Sequence, residues 1–351
     1  MAKKVYFHNV SSKPFYSYMQ DRQPDDLTKE SPKVFDNEFD NHAQLYIIDV
    51  YGMFYKGGDM TQKPIMYFRH SDMMKNKYRF GNLIDLGDDY LSPQKGVYHP
   101  EKTAQQISFE EYHKVSDEPL AYQYGTEDPK SCFTLFKDHI ELNEGDYFKV
   151  ISQPWDKTII DHLSFWRETS TIFQPSCFIG TIDGEKVVGI GEYIKAYKSK
   201  DQKLDISDNM GYYYMDCMGI REDGRKEHAF INAELNGNCY ASYWLEGEVP
   251  VVTNQVTIEA DWKHLPYVDD GTCIYKDAVF SFCGKEIHFT GKWATKGFTD
   301  HPRIERSGQS QVFGTWYEGK TPYKHRISMG FGENMEAYDY RLRENGFDVV
   351  D

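Results

Sequence analysis

The sequence predicts an all-β protein built from antiparallel strands, and three observations carry that reading. Aromatic residues (27 Tyr, 22 Phe and 6 Trp) make up 16% of the 351 residues, a composition that suits pleated surfaces better than helices. Apolar and polar residues alternate over short runs between turn signals, the period-2 pattern of a strand with one buried face. Sustained helical periodicity is scarce.

Taken in chain order, "AQLYIIDVYGMFY" (43–55) and "PIMYFRH" (64–70) read as a hairpin around "KGGDMTQK". The regions 20–40 and 84–130 are richer in Asp, Pro, Lys and Gln and read as long surface loops of the kind that serve as lids. Within them "ISFEEYHKV" (107–115) fits a strand or a helical turn. "CFIGTIDGEKVVGIGEYIKAY" (177–197) is a second hairpin, turned at Asp183-Gly184, where a tight two-residue turn needs φ > 0. Residues 211–262 give at least three strands, punctuated by Asp223-Gly224, Asn236-Gly237 and Glu246-Gly247. "DAVFSFCGKEIHFTGKWAT" (277–295) and "SQVFGTWYEGKTPYKHRISMGFGE" (310–333) continue the pattern.

The length allows two domains, each with its own core. "KSKDQKLDISDN" (198–209) is charged and nearly free of large apolar residues, which makes it the linker. The expected domains are residues 1–200 and 201–351. An internal echo links them: "IDGEKVVGIGEY" (182–193) and "FCGKEIHFTGKW" (282–293) align without gaps, matching Gly184 with Gly284, Gly191 with Gly291 and Tyr193 with Trp293. A duplication leaves such an echo, and hairpin chemistry alone also produces one.

Composition excludes several classes. A formal net charge of −15 leaves no basic footprint for nucleic acid and disfavours an acidic membrane surface. Six cysteines stand singly at 132, 177, 217, 239, 273 and 283, without the paired spacing of a zinc site. No run approaches the length of a membrane helix, and "MAKKVYFHNV" lacks an apolar signal core, so a cytoplasmic protein is expected. There is no P-loop and no GxSxG elbow, and "GIG" (189–191) lies between strands without the third glycine or the helix of a dinucleotide site. No cofactor and no metal are expected.

The order "VVGIGEY", polar linker, aromatic strand, then "REDGRKEHAFINAEL" and "NGNCYASYWLEGE" resembles the double-calycin proteins. These are two lipocalin-like barrels in tandem, a group with AttH-like proteins, carotenoid hydratases, tocopherol cyclases and Diels-Alderases. The features that carry the resemblance are Gly189, Gly191 and Tyr193 at the end of one barrel, and Asp223, Gly224 and Arg225 in a hairpin of the next. The resemblance implies tandem antiparallel barrels and an aromatic-lined ligand cavity near their junction. Members with hydratase activity carry an Asp, a His and a Trp-Gly pair just after the first barrel-closing glycine. Here the chain reads "GEYIKAYKSK", with Glu192 as the only acid nearby, so the hydratase residues do not carry over.

The candidate site starts from "GYYYMDCMG" (211–219). On a strand, Tyr212, Tyr214, Asp216 and Met218 share one face, and Asp216 is expected to point inward among the rings. A carboxylate in apolar surroundings suits proton transfer, and tyrosine faces stabilise a cation. Asp216 is therefore the first candidate acid, followed by Glu192 and by His301 of the Asp300-His301-Pro302 loop. Tyr212, Tyr214, Tyr193, Trp244, Trp293 and Trp316 are the candidate ligand wall, with barrel core as the competing role for these rings. His162 of "DHLSFWRETS" is a further acid or base beside Trp166, or a surface histidine.

The expected function is binding of a small apolar or polycyclic ligand with cofactor-free proton-transfer chemistry, namely cyclisation, isomerisation or hydration. A non-catalytic lipocalin-like carrier would use the same cavity. A carbohydrate-active β-sandwich would instead place two carboxylates about 5–10 Å apart across a cleft.

Overall fold

The computed structural model describes residues 3–8, 16–22, 43–72, 78–93, 95–97, 107–108, 113–127, 130–162, 169–199, 211–234, 239–295 and 309–350. The Asn236-Gly237 turn, residues 200–209 of the linker and His301 lie outside these residues, as do the side chains of Asp161 and His162.

In chain order the strands are β1 (Lys4–His8), β2 (Tyr16–Asp21), β3 (Ala43–Lys56), β4 (Ile65–Asp72), β5 (Tyr78–Asp85), β6 (Gly96–Val97), β7 (Ile107–Ser108) and β8 (His113–Asp117). Next come β9 (Leu120–Glu127), β10 (Lys130–Phe136), β11 (Ile140–Glu144), β12 (Phe148–Pro154), β13 (Lys157–His162), β14 (Thr169–Ile182), β15 (Glu185–Ser199), β16 (Tyr212–Arg221) and β17 (Lys226–Glu234). The remainder are β18 (Cys239–Leu245), β19 (Val251–Thr253), β20 (Gln255–His264), β21 (Cys273–Phe282), β22 (Lys285–Thr295), β23 (Ser310–Glu318), β24 (His325–Met335), the helix α1 (Asp339–Glu344) and β25 (Val349–Val350). The fold is all-β, in two large antiparallel sheets. The region 84–130 is more regular than its composition suggests: its later part forms β8 and β9, which pair with each other, and β9 pairs with β10.

The chain divides into two compact units. The C-terminal unit holds residues 204–351 together with 1–15 and 86–95; the N-terminal unit holds residues 16–85 and 96–203.

In the C-terminal unit, β20 to β24 and β16 to β19 form one antiparallel path, in which β24 returns to pair with β16. That pairing turns a meander into a barrel, leaving β18 beside β20 at the seam. β1 pairs with Gln255–Glu259 of β20, and β25 runs parallel to Trp262 and Lys263 of the same strand. Alternation along each strand sends Tyr213, Met215 and Cys217 of β16, Ala229 and Ile231 of β17, and Val256 and Ile258 of β20 into one core. Rings fill the interior, with Trp262 and Tyr275 edge to face at 5.0 Å and Tyr275 and Phe289 at 5.9 Å.

In the N-terminal unit the path runs β6-β5-β4-β3-β15-β14-β12-β11-β10-β9-β8. Ile65 and Leu83, on β4 and β5, share one core cluster with Leu135 and Ile140, on β10 and β11. Strands that far apart in the order meet around one core only if the sheet curls. Tyr67, Phe148 and Phe54 pack at its centre.

The sequence echo has a structural counterpart. The β14–β15 turn at Asp183-Gly184 has φ of 52° and 78°, and the β21–β22 turn at Cys283-Gly284 has 46° and 78°. Gly191 lies opposite Gly52, and Gly291 opposite Gly314. These pairs let the strands approach closely: an ideal Cβ on Gly191 would fall 2.0 Å from the Tyr51 carbonyl oxygen, and one on Gly314 would fall 2.0 Å from that of Thr290.

Candidate functional site

The β16–β17 hairpin positions the principal acid. Its turn is set by Gly224 at φ 93° and by Asp223, whose Oδ1 accepts from the Arg225 amide at 3.0 Å. This turn fixes the register, so Asp216 faces Phe230 and Met218 faces His228. Asp216 and His228 are thus diagonal neighbours on one face, close enough for side chains to meet. His228 Nε2 lies 2.6 Å from Asp216 Oδ1, and neither side chain is exposed.

Aromatic rings border this pair. Tyr214 meets Phe230 edge to face at 5.1 Å and Phe331 at 6.0 Å, while Phe230 lies 6.3 Å from His228 and 5.8 Å from Tyr240. Phe331 stacks on Phe313 at 5.1 Å. Methionines 218 and 329 face each other across β16 and β24.

This face is not the one expected. Tyr212, Tyr214 and Asp216 do share a face, but Tyr213, Met215 and Cys217 point into the barrel core, so Asp216 does not point inward. It is nevertheless fully buried. Trp244, opposite His228, joins the Asp216 face, whereas Trp316 belongs to the interior core and donates from Nε1 to the Met218 carbonyl at 3.0 Å. Tyr193 lies in the core of the N-terminal unit. Trp293 is half-buried, with Lys292 5.9 Å from its ring. Tyr212 hydrogen-bonds to Glu333, which also accepts from Gln311 at 2.5 Å. The expected wall therefore divides between two faces of one barrel and the core of the other unit.

Inside the barrel, at the turn end of the same hairpin, lies a second polar cluster that sequence reasoning missed. Arg221 donates to Glu227 through Nη2 at 2.6 Å and Nε at 2.9 Å, and Tyr243 and Tyr323 donate at 2.5 and 2.6 Å. His325 Nε2 completes the shell at 2.9 Å. Burial alone would push the Glu227 carboxyl up, but bonds from Arg221, His325 and the two tyrosines overcome it and hold the pKa at about 2. With its oxygens so engaged, Glu227 is a structural anion that ties β16, β17, β18 and the approach to β24 together. His228 and Glu227 were both legible as register positions, because the Asp223-Gly224 turn sets which residues face β16.

In the N-terminal unit Glu192 faces Tyr51 across β15 and β3 and accepts from its hydroxyl at 2.7 Å; both are buried. The surface hollows beside Pro119 and Phe136 (about 390 Å³) and beside Tyr338 and Arg343 (about 310 Å³) hold none of the candidate residues. Among the described residues no helix is long and apolar enough to cross a membrane.

Fold and site define a class: an antiparallel β-barrel protein with a buried carboxylate–imidazole pair on an aromatic face. No family model and no curated protein matches the chain. Among solved structures it is similar to an AttH-type protein from Nitrosomonas europaea, at 13% identity over 88% of this chain and 98% of that one, with a TM-score of 0.44. It is also similar to kievitone hydratase from Nectria haematococca, at 10% identity over 83% and 88% of the two chains, with a TM-score of 0.29.

Proposed function

We propose that this chain binds a small apolar or polycyclic ligand against the aromatic face of β16, β17 and β24, and that Asp216 and His228 exchange a proton with it without a cofactor. The observation that supports this reading is the 2.6 Å contact between His228 Nε2 and Asp216 Oδ1, wholly buried beside Phe230. Burying two ionisable groups costs several kcal/mol before their attraction is counted, and apolar side chains of similar size often stabilise a core as well. A carboxylate that orients an imidazole leaves the other ring nitrogen, Nδ1, as the atom that exchanges a proton with a ligand. Neighbouring π faces favour a developing carbocation, which suits protonation of an alkene or enol in cyclisation, isomerisation or hydration. Glu192, held by Tyr51, is the second candidate acid, in the other unit.

The test has two parts. Native mass spectrometry of protein from its own host identifies a co-purifying lipid or terpenoid, and that compound is then incubated with the protein in D2O. Deuterium incorporation is expected with the wild type and loss of turnover with retained binding in Asp216→Asn. Retained ligand with no turnover in the wild type would make the protein a carrier. Activity undiminished in both Asp216→Asn and His228→Gln would remove the pair from the chemistry.

A further inference from the structure

The interior of the C-terminal barrel carries a feature that the acid–base pair does not use. Phe347 inserts among three rings, lying 5.3 Å from Tyr213, 5.7 Å from Trp262 and 6.1 Å from Phe7. Tyr213 and Trp262 are themselves 5.5 Å apart, and Tyr275 closes on Trp262 edge to face. All are buried. Two polar atoms of this box, Tyr213 Oη and Trp262 Nε1, are buried without a hydrogen-bond partner among the described residues. A wall built only to hold a phenylalanine gains nothing from them, and each costs stability when it is left unsatisfied.

Phe347 arrives on a short segment. The helix α1 has six residues and no side-chain bond at its N-cap, Tyr338. Gly346, at φ 93°, turns the chain, and the Phe347 amide bonds back to the Leu342 carbonyl at 2.9 Å. Two residues of β25 then pair with β20 beside Trp262 itself. A short helix and a two-residue strand belong to the least stable local structures, which open ahead of the global core.

We propose that Tyr213, Trp262, Tyr275 and Phe7 form a binding site for one planar aromatic ring system bearing a hydroxyl, and that Phe347 occupies it as an internal ligand until residues 338–350 move aside. A phenolic hydroxyl accepts from Trp262 Nε1 and donates to Tyr213 Oη, satisfying both atoms where a phenyl ring satisfies neither. The ligand affinity is reduced by the fraction of molecules in which the segment stands open. The site is separate from the pair at Asp216, which lies on the opposite face of β16.

The test uses the full chain with 1-naphthol as probe and naphthalene as its apolar counterpart. Isothermal titration is expected to give one saturable naphthol site, and hydrogen exchange at residues 342–350 is expected to quicken about tenfold at saturation. Affinity is expected to fall about tenfold for naphthalene and for the Tyr213→Phe/Trp262→Phe variant. If the double variant fails to fold, the naphthalene comparison on the wild type makes the same discrimination. No saturable naphthol binding, binding with unchanged exchange at 342–350, or equal affinity for the two probes would overturn the proposal.

Discussion

Arg221 and Glu227 meet diagonally across the β16–β17 hairpin as a bidentate pair, Nη2 to Oε1 at 2.6 Å and Nε to Oε2 at 2.9 Å. Planar double contacts of this kind are among the stronger hydrogen bonds in proteins, and this one sits where three further donors converge. Because the native carboxyl is held at about 2, below its ordinary value of 4.5, its stabilising effect is full above about pH 4.5 and is lost as pH falls through about 2. A shift of that size corresponds to about 3 kcal/mol. Urea denaturation from pH 6 to pH 2 is expected to show the gap between wild type and Glu227→Gln closing by that order. A gap independent of pH would show that the cluster does not hold the carboxyl down.

The Asp216–His228 pair makes a separate thermodynamic prediction. Replacing either residue by Leu removes a buried partner at 2.6 Å and is expected to cost about 3–5 kcal/mol. The double Leu variant should cost far less than the sum of the two, with a coupling of at least about 2 kcal/mol by denaturant titration. Additive losses would mean that the contact carries no energy of its own.

Close strand approach predicts a contrast between two glycines. In Gly191→Ala the new methyl meets the Tyr51 carbonyl and the Gly52 backbone, neither of which can turn aside, and a loss of about 3 kcal/mol or more is expected. Gly184→Ala meets nothing within 4 Å and pays only for its positive φ, about 1–2 kcal/mol. Equal melting temperatures for the two variants would contradict the packing argument.

Thiol chemistry gives a kinetic check on the barrel. Burial pushes the Cys239 and Cys273 thiols up to about 12, whereas Cys283 is exposed in its hairpin turn. Among the described cysteines, a disulfide reagent at pH 8 should label Cys283 first, and Cys239 and Cys273 only at the rate of unfolding. Fast labelling of Cys239 in the native protein would mean that the β18–β20 seam opens.

Much of the architecture is legible in the residues. The hairpins at Asp183-Gly184, Asp223-Gly224 and Glu246-Gly247 stand where their glycines require, since Gly184, Gly224 and Gly247 all adopt positive φ. Alternation in "GYYYMDCMG" groups Tyr212, Tyr214 and Asp216 on one face, whereas His228 was not singled out from the sequence and joins that face through the register of the β16–β17 hairpin. Less legible was the region 84–130, where β8 and β9 carry many polar residues and the strand period is weak.

By itself, the sequence determined that the chain is an antiparallel β protein, where its tight turns fall, and which side chains share a face, because turn chemistry and the two-residue repeat are local. Only the tertiary structure decided which face of β16 the barrel encloses. Both faces of that strand are apolar and buried, so the alternation defines parity without direction, and closure of β24 onto β16 then placed Tyr213, Met215 and Cys217 inside and Asp216 on the other side. The same non-local pairing brought His325 and Tyr323 to Glu227, about a hundred residues away in the chain, through contacts that no local pattern encodes.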